Sequence, residues 1–221
     1  MGINPMEHKK TLKEEIRNQI IDRVVAGEFN SDSILTEKML TSLFAVSKAP
    51  VREALIELCN EKILQSIPRC GYRIVRLTPR DIAQAVEVRS VLEFAAFDKM
   101  AACLSPEMTE PLKCFNVECD RSRISADVWT HWNNNREFHL LLAGLCGNLL
   151  LIEMLGKTLG LLSRAYAQSY WEEWHDSLVS LDIEKHKLIV AALEQGKIKT
   201  ARSALQTDLQ LMAKRFHLPG A

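Results

Sequence analysis

The chain has 221 residues, of which 47% are apolar and 25% are charged, a composition typical of a folded globular protein. The 28 lysine and arginine residues balance the 28 aspartate and glutamate residues, which excludes binding to polyanions by bulk charge. No apolar run reaches the roughly 18 residues of a membrane span, and the six cysteines form no C-x-x-C pair. We therefore expect a cytoplasmic protein with reduced thiols and no membrane partner.

Residues 6–77 have the pattern of a winged helix–turn–helix domain. Apolar spacing predicts three helices, the third of them capped by Ser47 with Pro50 in its first turn. A strand-like segment broken by Pro68 and Gly71 then predicts a β-hairpin. The predicted elements are helices at Thr11–Ala26, Glu37–Leu43 and Ala49–Glu61 and a hairpin at Ile63–Leu77 with its tip at Arg69–Arg73. Four basic residues and no acidic one lie between Lys62 and Arg76, so a basic patch is expected in this neutral protein.

Residues 78–221 are predicted to be helical throughout. Apolar residues recur at helical spacing, and short joins marked by glycine or proline separate the segments. The predicted helices are Pro79–Ala102, Ser105–Arg123, Asp127–Cys146, Leu149–Tyr170, Asp182–Gln195 and Ile198–Phe216. The fold class is therefore mostly α: a winged domain of three helices and a hairpin, followed by an antiparallel bundle of six to seven helices.

Several motifs resemble those of one bacterial family. The run VSKAPVREAL at 46–55 resembles the recognition-helix signature of GntR-type transcription regulators, with LTEK at 35–38 and GYRIV at 71–75 at the family's spacings. The segments LTPRD at 77–81 and VRSVLE at 88–93 resemble the all-helical effector domain of the FadR subfamily, the FCD domain. The resemblance covers nearly the whole chain.

A recognition helix meets base edges with its N-terminal end, so its first residues are the candidates for DNA contact. Lys48 and Arg52 lie four residues apart on one helical face, with Ser47 at the cap. The arginine fork suits guanine, whereas Lys48 suits a base or a phosphate. The resemblance adds Lys38, and the basic residues Arg69 and Arg73 flank the wing tip. There Gly71 permits positive φ and a close approach to the backbone.

The alternative for this charged surface is a solvated face without DNA, on which Arg52 pairs with Glu53 or Glu57.

The resemblance also implies a metal site inside the bundle. In many FCD domains one aspartate and three histidines hold a divalent ion. The corresponding positions here are Asn135, His139, His186 and Asp208, so an amide, two imidazoles and one carboxylate stand in for the family's set. This composition predicts at most a weakly held ion, with zinc, nickel, manganese and iron all suitable. The alternative is a metal-free polar core in which the histidines bond to Asn135 and Asp208.

Further residues are candidates for binding an effector. Arg89 belongs to the family's Arg-x-x-Leu-Glu pattern, and an inward arginine clamps a carboxylate with two hydrogen bonds. The alternative is an ion pair between Arg89 and Glu93 on one helix face. Asn135, Asn148, Arg164 and Tyr166 complete the set of effector candidates, although Asn148, after Gly147, also fits a helix boundary.

The resulting prediction is a bacterial transcription regulator, a repressor whose operator affinity is controlled by a small metabolite. The predicted effector is an organic acid, and the predicted partners are a second copy of the chain and a DNA operator with an inverted repeat. Two alternatives belong to other classes. One is a DNA-binding dimer whose helical domain only dimerises, and the other is a metal-dependent enzyme.

Overall fold

A computed structural model describes residues 11–122, 128–170 and 179–215. The chain divides into two compact units between Arg76 and Leu77. The first unit contains helices and a small sheet, and the second is helical throughout its described part. The predicted class, mostly α with an N-terminal winged part, is confirmed. None of the described helices combines the length and apolar character that a membrane span needs.

The winged unit is organised around a helix–turn–helix. Its elements are α1 (Leu12–Val25), β1 (Ile34–Leu35), α2 (Glu37–Phe44), α3 (Lys48–Asn60), β2 (Leu64–Ile67) and β3 (Gly71–Ile74). The turn between α2 and α3 begins at Ala45, which adopts a left-handed conformation with φ of 53°. Ile20, Leu40 and Leu55 are fully buried in one apolar core, which fixes α3 against α1 and α2. The core thereby determines which face of α3 is exposed.

The wing is a three-stranded antiparallel sheet in the order β1-β3-β2. The predicted hairpin is present as β2 and β3, and the two-residue strand β1 adds a pairing that the sequence analysis did not predict. Arg69 and Gly71 both have positive φ, of 65° and 134°. Gly71 packs closely against β1 of the protein itself: a Cβ at this position would lie 2.5 Å from the Leu35 carbonyl oxygen, which is too close.

The helical unit comprises six described α-helices and a 3₁₀ turn. These are α4 (Pro79–Ala101), the turn Pro106–Thr109, α5 (Glu110–Ser122), α6 (Val128–Gly144), α7 (Leu149–Tyr170), α8 (Val179–Glu194) and α9 (Ile198–Arg215). The helical segment predicted to open at Ser105 does begin there, with Ser105 as the N-cap, but its first turn is 3₁₀ and the α-helix begins only at Glu110. Helix α8 begins three residues before the predicted Asp182. The predicted helix ends Arg123, Asp127 and Phe216 lie outside the described residues.

Charged residues interrupt the buried face of α4. Ala96, Phe97 and Met100 belong to the main apolar core of the bundle, while Ile82 and Ala85 belong to a smaller apolar cluster. Arg89 and Glu93 lie between these two groups and are 1% and 3% exposed. Charged side chains are almost never buried without a partner, so this stretch of α4 marks a polar centre within the bundle.

Candidate functional site

The exposed N-terminus of α3 carries two of the predicted DNA-contacting residues, Ser47 and Lys48. The Ser47 side chain makes no capping hydrogen bond, whereas Thr36 at the start of α2 accepts one from the Met39 amide at 3.1 Å. The first turn of α3 also contains no acidic residue. The dipole and the unsatisfied N–H groups of such a helix end attract an anion, for example a phosphate group.

Arg52 lies one turn further along α3, and its side chain is 70% exposed. Its Nε is 3.8 Å from Oε1 of Glu37 at the start of α2. The alternative in which Arg52 pairs with Glu53 or Glu57 is wrong. Glu57 instead forms an ion pair of 2.7 Å with Lys13 on α1.

The remaining predicted DNA contacts are also exposed. Lys38 lies on α2, Arg69 at the wing tip and Arg73 on β3, where it is in register with Ile34 and Gln65. All six candidates therefore belong to the winged unit and face solvent. This arrangement is compatible with α3 entering a DNA groove and the wing contacting the backbone.

The helical unit contains a buried polar centre built from four helices. Its members are Arg89 and Glu93 on α4, Asn135 and His139 on α6, His186 on α8 and Asp208 on α9, all at most 4% exposed. Glu93 connects two of them, since Oε1 lies 2.5 Å from Arg89 Nε and Oε2 lies 2.6 Å from His139 Nδ1. His139 Nε2 is 3.0 Å from Asp208 Oδ2. The His186 ring stacks on Phe138 with 3.8 Å between centroids.

The charges of this centre stabilise one another. Burial disfavours the ionised form of Glu93, but Arg89 and His139 outweigh it and lower the pKa of this carboxyl to about 2. Burial likewise opposes a proton on His139, as does Arg89. The charge of Glu93 and the hydrogen bonds with Asp208 and Glu93 outweigh both and raise the pKa of the imidazole. Glu93 is therefore ionised and accepts the Nδ1 proton of His139.

Three side chains of the centre are suited to a divalent ion. The candidate donor atoms of His139, His186 and Asp208 lie within 4.8 Å of one another, close to the spacing of ligands around one ion. Metal-binding histidines commonly donate the other ring N–H to a carboxylate, which is the role Glu93 has toward His139. The fourth position, Asn135, is on the same face of α6 as His139. Its Oδ1 is buried and has no hydrogen-bond partner among the described residues. The residues present therefore fit a metal ion.

The other effector candidates have different surroundings. Arg164 and Tyr166 are buried on α7, and the Tyr166 ring stacks on Trp132 with 4.4 Å between centroids. Asn148 accepts a hydrogen bond from the Leu151 amide at 3.2 Å, so it caps the start of α7 as the helix-boundary alternative expected. Arg89 does form the predicted alternative pair with Glu93, but that pair is part of the centre rather than of an exposed face.

Two carboxylates near these sites were not predicted to have roles of their own. Glu93 entered the sequence analysis only as a partner for Arg89, and the four-residue spacing of Arg89 and Glu93 was the available signal. No spacing pattern in the sequence pointed to Glu37, because its contact with Arg52 joins two different helices across the turn.

Comparisons with known proteins agree with this geometry. The model of the family "Bacterial regulatory proteins, gntR family" matches residues 12–74, and the FCD domain model matches residues 84–211. The chain belongs to the GntR family of transcription regulators. Its FCD domain agrees with the FadR subfamily. Proteins of this family are DNA-binding regulators, so the alternative of a metal-dependent enzyme is not supported.

Individual relatives support the assignment to the GntR family. A helix–turn–helix transcriptional regulator from an unstable DNA locus of Streptomyces ambofaciens is 26% identical over 201 residues, 91% of this chain and 83% of the relative. The gluconate operon transcriptional repressor of Bacillus subtilis is 40% identical over 78 residues, 35% of this chain and 32% of the repressor. The solved structure of McbR from E. coli has a TM-score of 0.81 at 21% identity, covering 94% of this chain and 98% of McbR. This last likeness supports the fold alone.

Proposed function

We propose that this GntR-family regulator is a repressor that binds its operator through α3 and the wing and is controlled by an organic acid in the helical unit. The observation that carries the proposal is the buried centre of Arg89, Glu93, His139, His186 and Asp208. Even when they are paired, buried ionisable groups often stabilise a fold less than apolar side chains of similar volume. A ligand-binding site explains this loss of stability, because the same polar groups are needed there to bind the ligand.

A divalent ion would be held by His139, His186 and Asp208, with Asn135 alongside them. The ion would supply a positive charge to which a carboxylate effector could bind. Arg89 and Arg164 are buried cations in the same unit, and arginine recognises carboxylates with two parallel hydrogen bonds. Both features favour an anionic effector. The ligand set has one imidazole fewer than the family's pattern, so we expect the ion to exchange readily.

DNA binding is assigned to Lys38, Ser47, Lys48, Arg52, Arg69 and Arg73. We assign base reading to Arg52 and phosphate contact to the wing arginines, because the former lies on the recognition helix and the latter lie on the wing. One winged unit has little surface for tight binding. We therefore expect a homodimer on an inverted repeat, whose two-fold symmetry matches that of the protein. Repression is supported by the gluconate operon relative, which is a transcriptional repressor.

The test uses the full-length protein and a duplex selected by that protein from a random library. Metal content is measured after dialysis, and DNA affinity is measured by fluorescence anisotropy with Zn²⁺, Ni²⁺ or Mn²⁺ and a panel of small carboxylic acids. We expect one acid to change the affinity for DNA, and Asp208→Asn to reduce that response. Glu87→Gln, which alters an exposed carboxylate of α4, serves as the control. A DNA affinity that no acid or metal changes would instead support a helical unit that only dimerises.

A further inference from the structure

An acidic side chain lies within the surface that is assigned to DNA. Glu37 is the first residue of α2, directly before Lys38, and its side chain is 31% exposed. A carboxylate beside DNA phosphates weakens binding by repulsion. The contact of Glu37 with Arg52 offers a function that would offset this loss of affinity for DNA.

The contact between Glu37 and Arg52 uses one specific edge of the guanidinium. Glu37 Oε1 approaches Nε, at 3.8 Å, so the edge of the guanidinium formed by the two terminal Nη groups remains available. Those two N–H groups form the fork that matches O6 and N7 of guanine. Within the described part of the chain the guanidinium of Arg52 forms no hydrogen bond, and at 70% exposure little else restrains it.

Tyr72 on β3 lies near the start of α2, because it pairs with Leu35, two residues before Glu37. Burial raises the pKa of the Tyr72 hydroxyl; the negative charge of Glu37 raises it further and the positive charge of Arg52 lowers it. The position of the pair follows from two contacts: Glu37 on α2 meets Arg52 on α3, and β1, which directly precedes α2, pairs with β3 of the wing.

We propose that Glu37 is a positioning residue that holds the Arg52 guanidinium for reading one base and thereby sets operator specificity. The proposal rests on the proposed function, in which Arg52 reads a base. Positioning reduces the conformational freedom that Arg52 loses on binding the correct base. The negative charge of Glu37 also penalises sites where only phosphate contacts form, so it favours discrimination at the expense of total affinity.

A local explanation for Glu37 is the stabilisation of α2, since an acidic residue in a first turn interacts favourably with the helix dipole. That explanation predicts an effect on unfolding and none on base preference. Glu37→Asp separates the two roles because it keeps the charge in the first turn but withdraws the carboxylate from Arg52.

The experiment compares two duplexes, the best sequence that the wild-type protein selects from a random library and the same sequence with the Arg52-dependent base replaced. Arg52→Ala identifies that base as the position at which preference is lost. For Glu37→Gln and Glu37→Asp we expect discrimination between the two duplexes to fall at least about fivefold. We also expect Glu37→Gln to bind unrelated DNA more tightly than the wild type. Glu53→Gln removes the same charge from the exposed residue next to Arg52 and should leave discrimination unchanged.

A double variant completes the test. In the Arg52→Ala background, Glu37→Gln should have no further effect on discrimination. Unchanged discrimination in Glu37→Gln, or an equal loss in Glu53→Gln, would overturn the positioning role while leaving the proposed function intact. If Arg52→Ala itself loses no base preference, the assignment of Arg52 under the proposed function fails, and the role of Glu37 fails with it.

Discussion

The Glu93 carboxylate accepts the Nδ1 proton of His139 at 2.6 Å, and both residues are at most 3% exposed. This bond joins α4 to α6 and determines which imidazole nitrogen faces Asp208. When the ring gives up its Nε2 proton to bind an ion, the Nδ1 proton stays with Glu93, and the Nε2 lone pair is then directed toward Asp208 and the candidate ligand cluster. Glu93 therefore positions the side chain on which a metal site would depend.

Glu93→Gln should weaken metal binding by about 10- to 100-fold. The single amide oxygen is expected to stay with the charged Arg89, which leaves the amide NH₂ facing His139 Nδ1. The imidazole then carries its proton on Nε2 and loses the lone pair that would bind the ion. Titration of the metal-free protein with Zn²⁺ and Ni²⁺ measures the change. Glu87→Gln, on the exposed side of the same helix, should bind metal like the wild type.

The same substitution should lower the free energy of unfolding of the metal-free helical unit by roughly 3 kcal/mol, because Arg89 remains buried without its carboxylate. Replacing both residues, as Arg89→Met with Glu93→Leu, should cost less, since the guanidinium is removed together with its carboxylate and His139 keeps its contact with Asp208. Urea unfolding followed by tryptophan fluorescence reports this unit. Equal losses in the two variants would contradict the importance of the Arg89–Glu93 pair.

Another prediction concerns the two positions at which the ligand set departs from the family's pattern. Asn135→Asp combined with Asp208→His restores one carboxylate and three imidazoles at unchanged formal charge. The affinity for Zn²⁺ should rise about tenfold or more, because zinc prefers nitrogen ligands to an amide oxygen. Metal content after dialysis and titration with divalent ions measure the gain. No gain would mean that these four side chains do not bind one ion.

A further prediction distinguishes the wing from the recognition helix. Arg73→Ala should weaken binding to all duplexes by a similar factor and reduce the salt slope by about 1, as expected for a lost phosphate contact. Arg52→Ala should instead cost about 1–3 kcal/mol at the selected sequence and relax the preference for one base. Anisotropy at several salt concentrations measures both effects. Lys157→Ala, an exposed cation of α7, should leave the salt slope unchanged.

The sequence predicted the elements of both units because each carried a local signal. The helices capped by Thr36 and Thr78 begin at the predicted residues Glu37 and Pro79, and Leu149–Tyr170 is a helix over the predicted range. The sequence did not predict which elements far apart in the chain come into contact. The strand β1 has only two residues and forms by pairing with β3, and the contact of Glu37 with Arg52 depends on how α2 packs on α3.

The candidate site was predicted unevenly for the same reason. Motif positions identified His139, His186 and Asp208, and the structure brings their donor atoms within 4.8 Å. No sequence pattern indicated that Glu93 would bond to His139, because the two residues are 46 positions apart and meet only through the packing of α4 on α6.

The last prediction concerns Gly71, whose φ of 134° is rarely adopted by residues with a side chain. An added Cβ would lie 2.5 Å from the Leu35 carbonyl oxygen and 3.3 Å from Ile34 Cγ2. Gly71→Ala must therefore separate β1 from β3. We expect the free energy of unfolding of the winged unit to fall by about 2–3 kcal/mol and DNA binding to weaken.

Two spectroscopic signals distinguish the units. All four tryptophans lie beyond residue 128, so their fluorescence reports the helical unit alone, whereas circular dichroism also reports the winged unit. The circular dichroism transition should shift to lower urea without a shift in fluorescence. Gly144→Ala is the control, because its Cβ would meet no atom within 4 Å, and it should change neither transition by much. A winged unit that tolerates Gly71→Ala would contradict the pairing of Leu35 with Tyr72.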